Sequence, residues 1–234
     1  MDGFDDREKN ELAIDGAALW EGCILASCVH GVMLPEYPFI LPEHVWSGGI
    51  YVTRNEKGGK AALYFSENRE VVLGMFQDFR SERTELVLSE QYAMSHYQDA
   101  PEEIRSMAEA MTFLFEARDG EKRLPFVTAG IWGEDGKIFC RDTQEDWLLH
   151  GGHVLETQML PFEEAMERYR VHCSMDERRV EIAERIYRER IQSPSGQAVL
   201  TEEEIDALAV TGPYNMEACE EVFGKFGVLF AEEE

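Results

Sequence analysis

The sequence predicts an α+β fold in which antiparallel hairpins pack with several amphipathic helices and the C-terminal part is helical. Three observations favour this class. Two pairs of β-prone runs flank turn residues, and apolar residues recur at helical spacing in several other segments. The two patterns do not alternate regularly, as they would in a parallel α/β sheet.

The first third of the chain is predicted to hold two helices around one hairpin. Small and apolar residues indicate a helix near Ala17–Ser27, and the prolines of Tyr37–His44 favour an extended connection. An Asn/Gly-rich turn between Ile50–Thr53 and Ala62–Phe65 predicts a hairpin. Ser66 as an N-cap, followed by apolar residues at helical spacing, then predicts a helix over Ser66–Phe79.

The middle of the chain is predicted to contain a strand, a long helix and a second hairpin. Arg83–Glu90 has the composition of a short strand. Asp99 as the N-cap, Pro101 in the first turn and Gly120 beyond the end predict a helix with an apolar stripe that faces a core. The Glu-Asp-Gly turn inside Leu124–Asp142 predicts the second hairpin.

Three helices and one strand are expected next. A short helix lies in Asp142–Gly152, where glycines end it, and a strand follows over His153–Leu160. Further helices are predicted near Phe162–Cys173 and Asp176–Ile191, and the second of these is amphipathic.

The domain organisation is read from the SPSGQ stretch at Ser193–Gln197, which has the composition of a linker. It divides the chain into an α+β domain over residues 1–192 and a small acidic helical segment over 193–234 that packs on it. That segment carries a capping-box signature at Thr201–Glu204 and a last predicted helix over Met216–Phe223. The apolar residues expected to anchor its end are Val222, Phe223, Phe226 and Leu229.

Composition favours a folded protein. Hydrophobic residues make up 44% and aromatic residues 11% of the 234, which is enough for a core. No apolar run is expected to approach the roughly 18 residues of a membrane span, and the acidic N-terminus is unlike a signal or transit peptide. We therefore expect a cytoplasmic protein that binds no membrane. The five cysteines include no CxxC pair and are expected to be reduced, mostly buried thiols.

Negative charge is the strongest feature of the sequence. The 47 Asp and Glu residues against 22 Lys and Arg give a net charge of −25. Residues 1–50 contribute −7 and residues 201–234 contribute −9, and no Lys or Arg occurs from 10 to 53. This charge disfavours direct nucleic-acid binding. It favours solubility, metal binding or steering toward a basic partner.

We expect an acidic, non-enzymatic binding protein that inhibits or neutralises a basic, nucleic-acid-handling partner. We expect this protein to have no cofactor. Nucleic-acid mimics of the anti-CRISPR or anti-restriction type and immunity proteins against nuclease toxins work in this way in principle. A basic groove attracts carboxylates as well as phosphates at long range. The predicted partner contacts are acids of the C-terminal segment, followed by three N-terminal acids: Glu202, Glu203, Glu204, Asp206, Glu217, Glu220, Glu221, Asp2, Asp5 and Asp6.

Two alternative functions stay open. His150 and His153 in LLHGGHVLE could bind a metal in a metal-dependent hydrolase or a metal-binding regulator, with Cys140, Asp146 or Glu156 completing the set. The HGGH spacing is not that of a helical zinc site, and a glycine turn with two incidental histidines explains the same residues. The other alternative is an accessory or scaffold domain of a mobile element, whose charge keeps it soluble.

Two Cys–His neighbours are weaker candidates for nucleophilic chemistry. They are Cys28 with His30 and His172 with Cys173, and their spacing shows neither approach of the side chains nor an orienting third group. The sequence has no phosphate loop and no GxSxG, HExxH or EF-hand pattern. No catalytic residue is therefore predicted.

Overall fold

Strands and helices are interspersed along the part of the chain that the computed structural model describes, which is residues 8–40, 42–85, 89–193, 196–210 and 212–231. The strands in these ranges are β1 Asn10–Leu12, β2 Glu43–Ser47, β3 Ile50–Arg54, β4 Lys60–Phe65, β5 Val71–Gln77, β6 Glu116–Asp119, β7 Lys122–Pro125, β8 Ala129–Glu134, β9 Lys137–Cys140, β10 Ala198–Leu200 and β11 Val228–Phe230. The α-helices are α1 Gly16–Met33, α2 Glu90–Ser95, α3 Glu102–Met111, α4 Gln144–Leu149, α5 Phe162–His172, α6 Glu177–Gln192, α7 Glu202–Ala209 and α8 Met216–Gly224.

Seven strands form a mostly antiparallel sheet in the order β1-β9-β8-β5-β4-β3-β2. Both predicted hairpins are confirmed, as the antiparallel pairs β3–β4 and β8–β9. The β8–β9 turn has Asp135 at φ 53° and Gly136 at φ 75°. Positive φ at both central residues is the type I′ geometry that matches the strand twist. The sheet and its surrounding helices confirm the α+β class.

The described chain divides into two compact units. The first comprises Met1–Ala17 and Gly49–Glu156, and its core is formed by α2, α3 and the strands. Leu73, Met75 and Trp132 of the strands cluster with Tyr97 and Ala108 of the helical side. The hydroxyl of Tyr97 donates to the carbonyl of Gly74 in β5 at 2.7 Å, which satisfies a buried polar group inside this core.

The second unit comprises Ala18–Gly48 and Thr157–Glu234. Its central element is α1, in which 14 of the 18 residues are buried. Close approach to α1 depends on glycine. A Cβ at Gly22 would lie 1.9 Å from the carbonyl oxygen of Gln158, and one at Gly31 would lie 2.5 Å from the ring of Phe223. The thiol of Cys219 also donates to the carbonyl of Gly31 at 3.3 Å.

Helix α1 is longer and more apolar than the sequence reading expected. Among the described residues it is the one helix whose length and composition would let it cross a membrane, with a mean hydropathy of 1.3 over 18 residues. The expectation that no apolar run approaches this length was wrong. However, 72% of that window is buried inside the structure, as in a helix that is apolar on all sides because it lies in a core.

The prediction of a helix over Ser66–Phe79 was wrong, because this segment is a turn followed by strand β5. The hydroxyl of Ser66 accepts the backbone N–H of Glu70 at 3.2 Å, and Arg69 has φ 67°, so the predicted cap instead closes a hairpin turn. Strand β5 lies between β4 and β8 and six of its seven residues are buried. A strand covered on both faces has no apolar–polar alternation and can match helical spacing by chance.

Other expectations failed at the level of single elements. His153–Leu160 is not a strand but a 3-10 helix over Gly152–Leu155 followed by turns. Arg83–Glu90 begins in a 3-10 helix over Glu82–Glu85, and residues 86–88 of that prediction lie outside the described residues. Asp99 does not cap α3, because the N-cap position is held by Pro101 without a side-chain hydrogen bond.

The C-terminal predictions are largely confirmed. Thr201 and Glu204 form a complete capping box at the start of α7, and α8 occupies the last predicted helix. Phe223 and Phe226 are buried, whereas Leu229 is 44% exposed. Strand β11 pairs in parallel with β10, so the described end of the chain is anchored. A domain boundary at residue 193 stays a prediction.

Candidate functional site

The HGGH segment, His150–His153, ends α4 and packs its two glycines against aromatic side chains. Gly151 has φ 151°, and a Cβ there would lie 2.5 Å from the Cβ of Phe76. A Cβ at Gly152 would lie 2.5 Å from the indole of Trp147. Both glycines are therefore required by packing, independently of any ligand.

The two histidines of this segment bind different partners. The Nδ1 atom of His150 lies 2.8 Å from the hydroxyl of Ser81. His153 contacts the carbonyl of Leu148 through Nδ1 at 3.1 Å, and its Nε2 atom lies 3.3 Å from a guanidinium nitrogen of Arg80. Within the ranges described above, no group of three His, Cys, Asp or Glu side chains could hold a metal ion. The structure thus lends no support to the metal hypothesis.

A polar network surrounds His150 in the first unit. Arg83 donates to both carboxylate oxygens of Asp142, at 2.9 and 2.8 Å, and Thr128 donates its hydroxyl hydrogen to the carbonyl of His150 at 2.6 Å. Burial and the positive charge of Arg83 lower the pKa of His150, which favours the neutral form of its ring. Ser81 also accepts the backbone N–H of Arg83 at 3.2 Å. We interpret the network as a structural one that holds the loop after β5 against the end of α4.

The cysteine–histidine neighbours do not favour a reactive thiolate. All five cysteines are free thiols. Burial raises the pKa of Cys28 far above its ordinary value and that of Cys173 to about 11. A nucleophilic cysteine needs the opposite shift, because the thiolate is the reactive form.

Most of the predicted acidic contacts in the C-terminal segment are exposed to solvent. Four exposed carboxylates form no ion pair within the described residues: Glu202, Asp206, Glu217 and Glu220. Two further exposed acids have local partners. Glu203 accepts from Arg178 at 3.0 Å and Glu221 accepts from Lys225 at 2.6 Å.

Glu204 differs from these acids because it is buried, with 7% of its surface exposed. Both of its carboxylate oxygens accept from the guanidinium of Arg185, and one also accepts the backbone N–H of Thr201 at 2.9 Å. Burial alone would raise the pKa of Glu204, but the hydrogen bonds from Arg185 and Thr201 outweigh it and hold the pKa below its ordinary value. This carboxylate therefore has a structural role. The N-terminal candidates Asp2, Asp5 and Asp6 lie outside the described residues.

Sequence reasoning missed a group of exposed apolar side chains in the second unit. Tyr214 is 96% exposed, Phe39 is 95% exposed, Val210 is 83% exposed and Tyr37 is 47% exposed. We call these four residues, three aromatic and one aliphatic, the aromatic patch. Their sequence carries no signal of exposure, because the same residue types form the core elsewhere in the chain.

Fold and surface together define an α+β protein whose second unit has exposed aromatic residues and carboxylates that form no ion pair with other described residues. The chain matches no protein-family model, and no curated protein or solved structure is significantly similar to it.

Proposed function

We propose that this protein is a non-enzymatic, acidic binding protein that inhibits or neutralises a basic partner that handles nucleic acid. Such a protein acts as a nucleic-acid mimic of the anti-CRISPR or anti-restriction type, or as an immunity protein against a nuclease toxin. The observation that carries the proposal is the set of four exposed, unpaired carboxylates on α7 and α8, in a chain with a net charge of −25.

The contrast with α6 supports this interpretation. Helix α6 is also highly charged, but most of its arginines are paired with acids, as in Arg178 with Glu181 at 3.5 Å and Arg185 with Glu189 at 2.6 Å. Paired charges largely cancel at a distance, whereas unpaired carboxylates add to the long-range field. The acids of α7 and α8 are thus the stronger source of attraction for a positive surface.

The negative electrostatic field of these carboxylates attracts a partner that handles nucleic acid more strongly than other classes of protein. Its binding groove is basic because it must neutralise phosphates. At long range the groove responds to the sign and density of charge, so exposed carboxylates are drawn into it and occupy it. The main contribution of these charges is to the rate and specificity of encounter, which salt screens.

Affinity capture from the native host, followed by binding measurements at low and high salt, tests the proposal. The site variant is Glu202→Gln, Asp206→Asn, Glu217→Gln and Glu220→Gln combined. The matched control neutralises four exposed acids of the first unit, namely Glu102, Glu103, Glu109 and Glu121. We expect the site variant to weaken binding of the captured partner by about tenfold or more at low salt and the control by less than about twofold.

The captured partner should also bind duplex DNA or RNA, and the wild-type protein should compete with that nucleic acid. Binding that is equal at low and high salt would contradict the proposal. Equal weakening by the site variant and the control would assign the effect to net charge alone, as expected for a scaffold domain that acidity keeps soluble.

A further inference from the structure

The aromatic patch (Tyr37, Phe39, Val210 and Tyr214) is exposed without contributing to a core. Single exposed apolar residues are ordinary on protein surfaces, but several that lie together mark interaction sites. Two of the four are more than 90% exposed, so folding of this chain gains almost nothing from burying them. Association with another molecule would bury them.

Two segments that carry three of the four patch residues, Tyr37, Phe39 and Tyr214, contact each other in the second unit. The side-chain amide of Asn215 donates to the carbonyl of Pro35 at 2.9 Å. The backbone of Gly212 lies so close to the same carbonyl that a Cβ at that position would be 1.5 Å from the oxygen. Segment 35–40, with Tyr37 and Phe39, and segment 212–215, with Tyr214, are therefore neighbours.

Segment 35–40 is held by hydrogen bonds and an ion pair. The backbone N–H of Tyr37 donates to the carbonyl of Met33 at 2.9 Å, and that of Ile40 donates to the carbonyl of Tyr37 at 3.1 Å. The buried guanidinium of Arg179 binds the carboxylate of Glu36 and also that of Asp176, the latter at 2.6 Å. A surface that is ordered before binding loses less conformational entropy on association.

A groove borders the patch. An open cavity of about 470 Å³ is lined by Tyr37, Phe39 and Ile40 together with His172 and Cys173. This volume accommodates several apolar side chains of a partner. The groove and the exposed rings give the surface both a concave and a protruding part.

Charge indicates which partner fits. Val210 directly follows α7, which carries the unpaired Glu202 and Asp206, and Tyr214 lies just before α8, which carries Glu217 and Glu220. An apolar centre with a charged rim is the anatomy of a protein interface, and aromatic residues at the centre contribute most of its affinity. The acidic flanks select a positive partner.

We infer that the aromatic patch is the water-excluding centre of the partner-binding surface, and that its occupant is a basic protein that presents apolar side chains between lysines or arginines. The inference rests on the proposed function, because it takes the unpaired acids of α7 and α8, the helices that adjoin Val210 and Tyr214 in the chain, as the source of attraction for the partner. It adds that affinity comes from the aromatic residues, while the carboxylates provide attraction.

Two synthetic peptides of equal charge test the inference. One is an amphipathic 14-residue helix of lysine and leucine, and the other replaces every leucine with serine. The patch variant is Phe39→Ser with Tyr214→Ser. The control is Phe113→Ser with Leu149→Ser, since those side chains of the first unit are 66% and 62% exposed. Circular dichroism and urea unfolding verify that both variants fold.

We expect the wild type and the control to bind the lysine–leucine peptide roughly tenfold more tightly than the lysine–serine peptide. The patch variant should lose this preference and retain its affinity for the lysine–serine peptide. If the preference persists in the patch variant, or is lost equally in the control, the inference is overturned.

The same titrations separate this inference from the proposed function. The four-acid variant should bind both peptides more weakly, and an unchanged affinity for the lysine–serine peptide would refute the acidic binding function. Self-association of the wild type that the patch variant abolishes would instead assign the patch to a second copy of this chain. Binding to phosphatidylcholine vesicles that the patch variant abolishes, without a peptide preference, would assign it to a lipid surface.

Discussion

Glu204 shows how one carboxylate can belong to an acidic segment and still serve the fold. It joins α7 to α6 through Arg185, which lies 19 residues earlier in the chain, and it completes the capping box with Thr201. The neighbouring Glu203 carries the same charge, yet 86% of its side chain is exposed. Position relative to Arg185, and not residue type, decides which of the two is structural.

Replacing Glu204 with Gln should lower the free energy of unfolding by about 1–3 kcal/mol, because it removes the charge-assisted bonds and leaves Arg185 with weaker partners. Urea unfolding at pH 7 measures this change. Glu203→Gln is the matched control and should change stability by less than about 0.5 kcal/mol, since exposed ion pairs contribute little. Equal effects of the two substitutions would refute the structural role of Glu204.

At the level of elements, α1 is stabilised by contacts that glycine alone permits. Alanine is favoured over glycine in an isolated helix by about 1 kcal/mol. At Gly22 this preference is opposed by the backbone of Gln158, which cannot move aside as a flexible side chain could. Packing of α1 therefore outweighs its own helix propensity at this position.

Gly22→Ala should destabilise the protein by about 1–3 kcal/mol, because the added methyl group forces backbone shifts in a packed core. The matched substitution Gly224→Ala, near the end of α8, meets no atom within 4 Å and should be neutral or slightly stabilising. Thermal or urea unfolding of both variants measures the difference. Stabilisation by Gly22→Ala would show that α1 does not approach Gln158 this closely.

The elements that the sequence predicts well are those with local chemistry. The Asp135–Gly136 turn and the capping box at Thr201 are defined by residues within a few positions of each other, and both form as expected. Strand β5 could not be recognised in this way, because its apolar run reflects burial by neighbours on both sides of the sheet. Its strand conformation depends on pairing with β4 and β8, and β8 is distant in the sequence.

The candidate site was predictable to a similar extent. Carboxylates are exposed by default, so the acids of α7 and α8 could be nominated from the sequence. The aromatic patch could not, since Phe39 is 95% exposed while Phe76, the same residue type, is fully buried. Exposure of an aromatic ring is decided by the packing of the whole unit and leaves no trace in local sequence.

At the scale of the whole molecule, buried histidines link stability to pH. His30 and His44 lie with their ring centroids 5.7 Å apart and are 6% and 2% exposed. Burial lowers the pKa of both, although the nearby charge of Glu43 opposes the shift at His30. His150 in the first unit shifts in the same direction. The unfolded chain therefore takes up more protons than the folded protein below about pH 6.5.

The free energy of unfolding should be highest above about pH 6.5 and should fall as the pH is lowered toward 5, by at most about 1.4 kcal/mol per pH unit for each histidine. Urea unfolding between pH 5 and 7 measures the slope. The double variant His30→Asn with His44→Gln should show a shallower slope even if it is less stable at every pH. His172→Gln removes an exposed histidine and is the control for the loss of a histidine side chain.

The burial of α1 also has a consequence for the order of events during synthesis. The 124 residues between Met33 and Gln158 emerge after the helix and before Gln158 and Phe223, which pack on its Gly22 and Gly31. At about 5–20 residues per second, the ribosome needs roughly ten seconds to make that stretch. For that time this apolar helix lacks the partners of Gly22 and Gly31, while most of the first unit is already complete. A nascent chain halted before Gln158 would consequently be the form of this protein most prone to aggregate and most dependent on chaperones.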